Sequence, residues 1–422
     1  MENASAMIAN QKPSKAPPDA GDLHIDQLME SFYLVRAAVH DLLSGVGADP
    51  NQTRESSRLL GLSRQLTWRL SRVVCSTEPE AILSEIPGPQ GMSKFIAACR
   101  DLGAPEESVN ALLTATNSFE EAIRAVSGNR KSLAALMANQ GDHPTSGAHE
   151  RERRKLFEGG CAVWGVQAET RFVSVFLFPA DDDPTMLDVA HVTGYLGFRR
   201  LRAIPWPMSF EEVRTHDGVH IPFIKEPLDL ANGSDEGQLQ LIDRFCNPPS
   251  PSISVSTVGN VKRFELSPGP VGNAGAADVV FGTYLRHLYP RARTAENLNA
   301  NFILMLVTPV ERVIFDMFVH KDIALKAQPS AHLCDKLTHP FAPADDEVAR
   351  LAMPLTETPQ TLGPGATGAL TPHIPWYPRL VRFVSERIKH APEEFNGSRF
   401  EMNYPPMPTS IVRGFPLADP SN

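Results

Sequence analysis

Between positions 54 and 72 the chain carries five Arg and one Glu, a local charge of +4. A guanidinium can hold guanine O6 and N7 through two parallel donors, and a glutamine amide can read adenine N6 and N7. Arg64, Gln65 and Arg72 are the candidates for such base edges. Arg54, Arg58 and Arg69 are placed nearer to phosphate oxygens, where charge alone suffices. The whole chain of 422 residues has 40 Lys+Arg against 49 Asp+Glu, a net charge of −9. That balance excludes a basic coat over the whole surface and leaves this segment as the place to look for a polyanion.

Other constellations carry less chemistry. His216 and His220 flank Asp217-Gly218, and a two-residue turn there would make the imidazoles cross-strand neighbours. No further ligand is identifiable by spacing, and Asp217 is explained by the turn. His332, Cys334, Asp335 and His339 have metal-capable atoms but match no common spacing. The glycines at 269, 272 and 275 follow a strand without the order of a dinucleotide or phosphate loop. Asp183 followed by Pro184 reads as the capped start of a helix. There is no G-x-S-x-G, H-E-x-x-H or kinase signature. Catalytic residues are therefore unassigned, an enzyme is not the expected reading, and neither metal nor cofactor is expected.

The elements that must hold the arginines are helical. Gly61 supplies a permissive backbone at which a first helix, about 52–60, can stop. Ser63 can cap a second helix, about 63–75, whose core stripe is expected to be Leu66, Leu70 and Val73. Arg64, Gln65, Trp68, Ser71 and Arg72 then face the other way, with Arg69 at the edge. The segment 53–73 resembles a bacterial helix-turn-helix DNA-binding motif, with the small Ser57 where the two helices must approach closely. Such motifs usually carry Val or Ile where this chain has Thr67. The resemblance implies that the second helix enters the major groove of double-stranded DNA and that a homodimer reads two half-sites.

Around the motif, Ile25, Leu28, Phe32, Val35, Val39 and Leu42 form one apolar helical stripe. Further helices are expected at about 78–85, 90–102, 106–126 and 129–138. Only 5 of the 37 prolines fall in 22–139, as an all-α domain requires. Residues 1–21 read as a disordered tail, 22–140 as the α domain and 141–148 as a linker. Residues 149–422 read as a domain of strands, with helices at 184–197, 235–245 and 376–389 and a loop-rich stretch at 326–378. The fold class is α followed by a larger, β-rich α+β domain.

The N-terminus lacks the apolar core of a secretion signal, and the longest apolar run, near Phe302–Val307, is far short of the ~20 residues that span a bilayer. Cys75, Cys99, Cys161, Cys246 and Cys334 form no C-x-x-C. The expectation is a cytoplasmic DNA-binding transcriptional regulator whose C-terminal domain senses a small-molecule effector or oligomerises. The alternatives are a structural or assembly protein, and an enzyme of unrecognised type in the second domain.

Overall fold

A computed structural model describes residues 20–77, 82–83, 86–139, 146–212, 215–216, 219–220, 224–232, 237–258, 261–294, 297–335 and 352–420. It divides into two units, Met1–Thr145 and Ser146–Asn422, each with its own core. In the first unit the apolar stripe builds helix α1 (Ala20–Gly45), with Leu28, Phe32, Val35, Val39 and Leu42 all buried. Helices α2 (Thr53–Leu59), α3 (Arg64–Cys75), α4 (Pro89–Asp101), α5 (Glu106–Ser127) and α6 (Arg130–Asn139) follow. α1 packs along α5, where Val109, Leu112, Phe119 and Ile123 are buried. Pro105 stands one position before α5, where its missing N–H leaves no bond unmade. Most of the expected helix at 78–85 lies outside the described residues, as do the tail before Ala20 and the linker residues 140–145.

The second unit opens on helix α7 (Ser146–Trp164). It occupies the end of the expected linker and the start of the segment expected to be extended from Ala162. Strand β1 (Val166–Pro179) then begins a seven-stranded sheet with β2 (Met186–Arg200), β6 (Ile224–Pro227), β9 (Ala277–Pro290), β11 (Val310–His320), β14 (Gln360–Pro364) and β15 (Phe395–Asn403). The order is β14-β15-β11-β1-β2-β9-β6, and only β1 and β11 run parallel. A four-stranded sheet has the order β10-β16-β12-β13, from β10 (Asn299–Leu306), β12 (Ser330–Asp335), β13 (Ala352–Met353) and β16 (Thr409–Pro416). A smaller sheet joins β3 (Trp206–Glu212), β8 (Val261–Leu266) and β7 (Ile253–Val258), and β4 (Thr215–His216) pairs with β5 (Val219–His220).

Alternation along β1 sets the layers. Phe172, Phe176 and Phe178 share a core with Tyr377, Leu380, Val381 and Val384 of helix α9 (Tyr377–Ile388). The short helix α8 (Gly365–Gly368) precedes it. Val173, Val175 and Leu177 share a second core with Phe302 and Leu304 of β10 and Ile411 and Phe415 of β16. The large sheet is thus covered by helix on one face and by the four-stranded sheet on the other. Both faces being buried explains why β1 is a near-continuous apolar run rather than an alternating one.

Two helices expected from the sequence are not there. From Met186 on, the stretch 184–197 is β2, because Val189, Val192, Tyr195 and Phe198 pack into the cores on both sides of a central strand. Asp183 makes a turn instead of a helix cap: its Oδ1 accepts the Thr185 backbone N–H at 2.9 Å. In 235–245 the helical part is one 3-10 turn, Asp243–Phe245, and the rest is loop among the described residues. The stretch at 326–378 contributes three strands, β12, β13 and β14. No helix among the described residues is long and apolar enough to cross a membrane.

Candidate functional site

Helix α2 ends at Leu59 with Leu60 as its C-cap, and Gly61 follows with φ +63, a left-handed conformation. The Ser57 hydroxyl, buried between the helices, donates to the Leu62 carbonyl at 2.7 Å and ties the turn to α2. Ser63 caps α3 by accepting the Leu66 N–H at 3.3 Å. The buried stripe of α3 is Thr67, Leu70 and Val73, while Leu66 is half-buried at its margin. Thr67 thus joins the buried side, with Leu66 still packed against the core. The Thr67 hydroxyl donates to the Ser63 carbonyl at 3.2 Å, so the polar atom is satisfied within the helix.

Arg64, Gln65 and Arg69 are exposed on α3, and Arg54 and Arg58 are exposed one turn apart on α2. Among the described residues none of the four arginines meets a carboxylate at ion-pair distance. Trp68 keeps 47% of its surface exposed, and the half-buried Arg72 guanidinium lies over its ring at 5.1 Å. The indole is therefore not packed beneath another helix of this unit, and it presents a flat apolar surface beside the donors. Ser71 does not join that face: its hydroxyl donates to the Pro50 carbonyl.

The second unit holds a cleft of about 580 Å³ at one end of the large sheet. Its floor is a row across four strands. Asn403 is opposite Arg312, Arg312 opposite Thr170, and Thr170 opposite Leu196. The next residue, Gly197, sits in a bulge of β2 with φ +59, where a Cβ would strike the Glu169 side chain. The positive φ favours glycine there, and its N–H donates to Asp278 Oδ1 at 2.8 Å. Glu150, Glu169, Asp278 and Glu311 bring four carboxylates to the lining, against Arg312 and His373. Burial pushes the Asp278 carboxyl above its usual range, against the pull of the Gly197 N–H. Burial, seconded by Arg312, holds His373 below the usual imidazole value. Asn403 Oδ1 is buried without a hydrogen-bond partner. Trp376 completes the wall, stacked on Phe245 at 4.8 Å.

No protein-family profile, curated protein or solved structure matches this chain.

The two metal-capable sets weighed in the sequence fall partly outside the described residues. β4 and β5 place His216 opposite Val219, and His220 opposite Thr215. Their side chains, Asp217 and Gly218 lie outside the described residues, as does His339. His332 is exposed on β12 while Cys334 is buried on the same strand. The glycine-rich stretch forms a 3-10 turn, Gly272–Gly275, between β8 and β9. Sequence reasoning missed the cleft because its lining comes from segments scattered between Glu150 and Tyr404. The one compact cue was the cluster of Pro372, His373, Pro375 and Trp376.

Proposed function

We propose that the chain is a DNA-binding regulator whose first unit reads double-stranded DNA through α3 and whose second unit takes a small-molecule effector. The carrying observation is the exposed α3 face of Arg64, Gln65, Trp68 and Arg69, held by a buried stripe on its other side. Arg64, Gln65 and Arg72 are given to base edges, with Arg54, Arg58 and Arg69 given to phosphates. A homodimer would set two such helices one helical turn of DNA apart, about 34 Å. The test is binding to genomic DNA fragments at two salt concentrations. Affinity should fall with salt, and Arg64→Ala with Arg69→Ala should flatten that dependence by about two charges' worth. Absent binding, or binding indifferent to both salt and substitution, overturns the reading.

The cleft favours a second reading for the C-terminal unit, alone or as the sensor: capture of a small organic cation. Four carboxylates, an unpaired amide oxygen and an aromatic wall all favour a ligand bearing N–H donors and positive charge. Spermidine is a suitable probe. A rise in melting temperature that Asp278→Asn diminishes supports this reading, and no rise with intact protein removes it.

A further inference from the structure

Strand β11 reaches the cleft at Arg312 and ends at His320, roughly 26 Å away at strand rise. At that far end we propose a second site, in which His320, His390 and Glu394 bind a divalent first-row transition ion of the zinc class. One donor atom from each residue lies within 4.8 Å of the others. His320 Nε2 is 3.9 Å from Glu394 Oε1, and His390 Nδ1 is 3.7 Å from Glu394 Oε2. Two donors held about 2.1 Å from one ion stand at most about 4.2 Å apart. Both pairs meet that limit, and the half-exposed Glu394 and His390 side chains can turn to close the widest separation.

The independent sign is His320 itself. The residue is 3% exposed, and its Nε2 has no hydrogen-bond partner. A buried ring nitrogen left unmatched is unfavourable, and coordination to an ion removes the mismatch. The surrounding groups suit that role. Asp322 Oδ2 lies 3.7 Å from His320 Nδ1, placed to accept the proton that the ring keeps there when Nε2 coordinates. Without the ion, Nδ1 accepts the Asp322 backbone N–H at 3.2 Å and the proton sits on Nε2, so loading moves that proton to Nδ1 and exchanges this bond for one to Asp322 Oδ2. The Ala391 N–H fixes Glu394 Oε2 at 3.0 Å. Lys321 Nζ, 3.2 Å from Glu394 Oε1, is the group an ion would displace, and its side chain is mostly exposed. Phe178 and Phe395 pack around the imidazoles, giving the polar atoms an apolar surround.

Two imidazoles and one carboxylate suit zinc, cobalt, nickel or copper, whereas magnesium and calcium call for oxygen-rich sets. Three protein donors leave a further position for water, as in an open site. The test is calorimetric titration of ZnCl2 into the full chain after chelator dialysis, with folding of each variant checked by circular dichroism. One equivalent should bind with micromolar or tighter affinity. His390→Gln and Glu394→Gln, both at half-exposed positions, should each weaken binding at least about tenfold, and Asp322→Asn about 10- to 100-fold. No stoichiometric binding by the intact chain overturns the proposal. So does unchanged affinity in the folded His390 and Glu394 variants, or a loss seen instead on replacing His216 and His220.

Discussion

Trp68 separates two uses of helix α3. An indole pressed under a neighbour would have closed the Arg64–Arg72 face to any partner. With the ring half open and Arg72 lying over it, the face is available. If the ring contacts DNA, Trp68→Ala should weaken binding by about tenfold or more while leaving the melting temperature within a few degrees, because little buried packing is removed. In the cleft, Asp278 binds a cation only as carboxylate, and burial raises its pKa. Affinity for spermidine should therefore fall as pH falls, beginning at a higher pH than an ordinary aspartate allows, and Asp278→Asn should flatten the profile. A third residue reports on stability. His191, in β2, keeps some surface, yet burial of its ring takes the pKa from 6.5 to about 4, with Arg171 and Lys225 pushing the same way. The unfolded chain then takes up this proton first as pH drops. Stability should decline between about pH 6.5 and pH 4 and level off below, by up to about 3 kcal/mol and less for the surface the residue retains. Urea titrations across that window should show a smaller slope for His191→Gln.

At the scale of elements, the helices were the most legible. The stripe from Leu28 to Leu42 repeats every three or four residues, and it folds as read because one buried face is all that an amphipathic helix needs. Helix α3 was read correctly in extent, and its stripe lacked only Thr67, which is buried beside the half-buried Leu66. A threonine hydroxyl satisfied by the Ser63 carbonyl counts as buried surface, which a polarity pattern scores as exposed. The misread β2 shows the opposite failure. A central strand buried on both faces loses its alternation, so apolar spacing no longer separates it from a helix. The His320 triad left only a partial trace, His390 and Glu394 four apart, because its third member is distant in sequence. The turn between α2 and α3 can be tested directly. Ser63→Ala should cost about 1 kcal/mol through the lost cap. Gly61→Ala should cost a similar amount, about 1 kcal/mol, from backbone strain alone, since a Cβ there meets nothing within 4 Å. Chemical denaturation of each variant checks both.

For the whole molecule, separate cores in the two units predict separate cooperative transitions. Residues 20–139 and 146–420, expressed apart, should each give a sigmoidal melt, and a fragment that stays unfolded would show that its core is incomplete alone. The second unit carries a constraint that the first does not. Its sheet is centred on the parallel pair β1 and β11, in which Ala168 is matched with Val310 and Leu177 with Val319. On the ribosome, β1 can find β2 almost at once, but its other edge must wait while the segment between β2 and β11 is made. β15 is then still to come. During that interval one long, very apolar strand edge has no native partner, the condition under which nascent chains aggregate or recruit chaperones. The helical unit is complete much earlier: α1 also waits for a distant partner, α5, but that partner ends at Ser127. Synthesis of this protein therefore has a vulnerable period, set by topology, in which the open edge passes from β1 to β11 and closes only once β15 has cleared the exit tunnel.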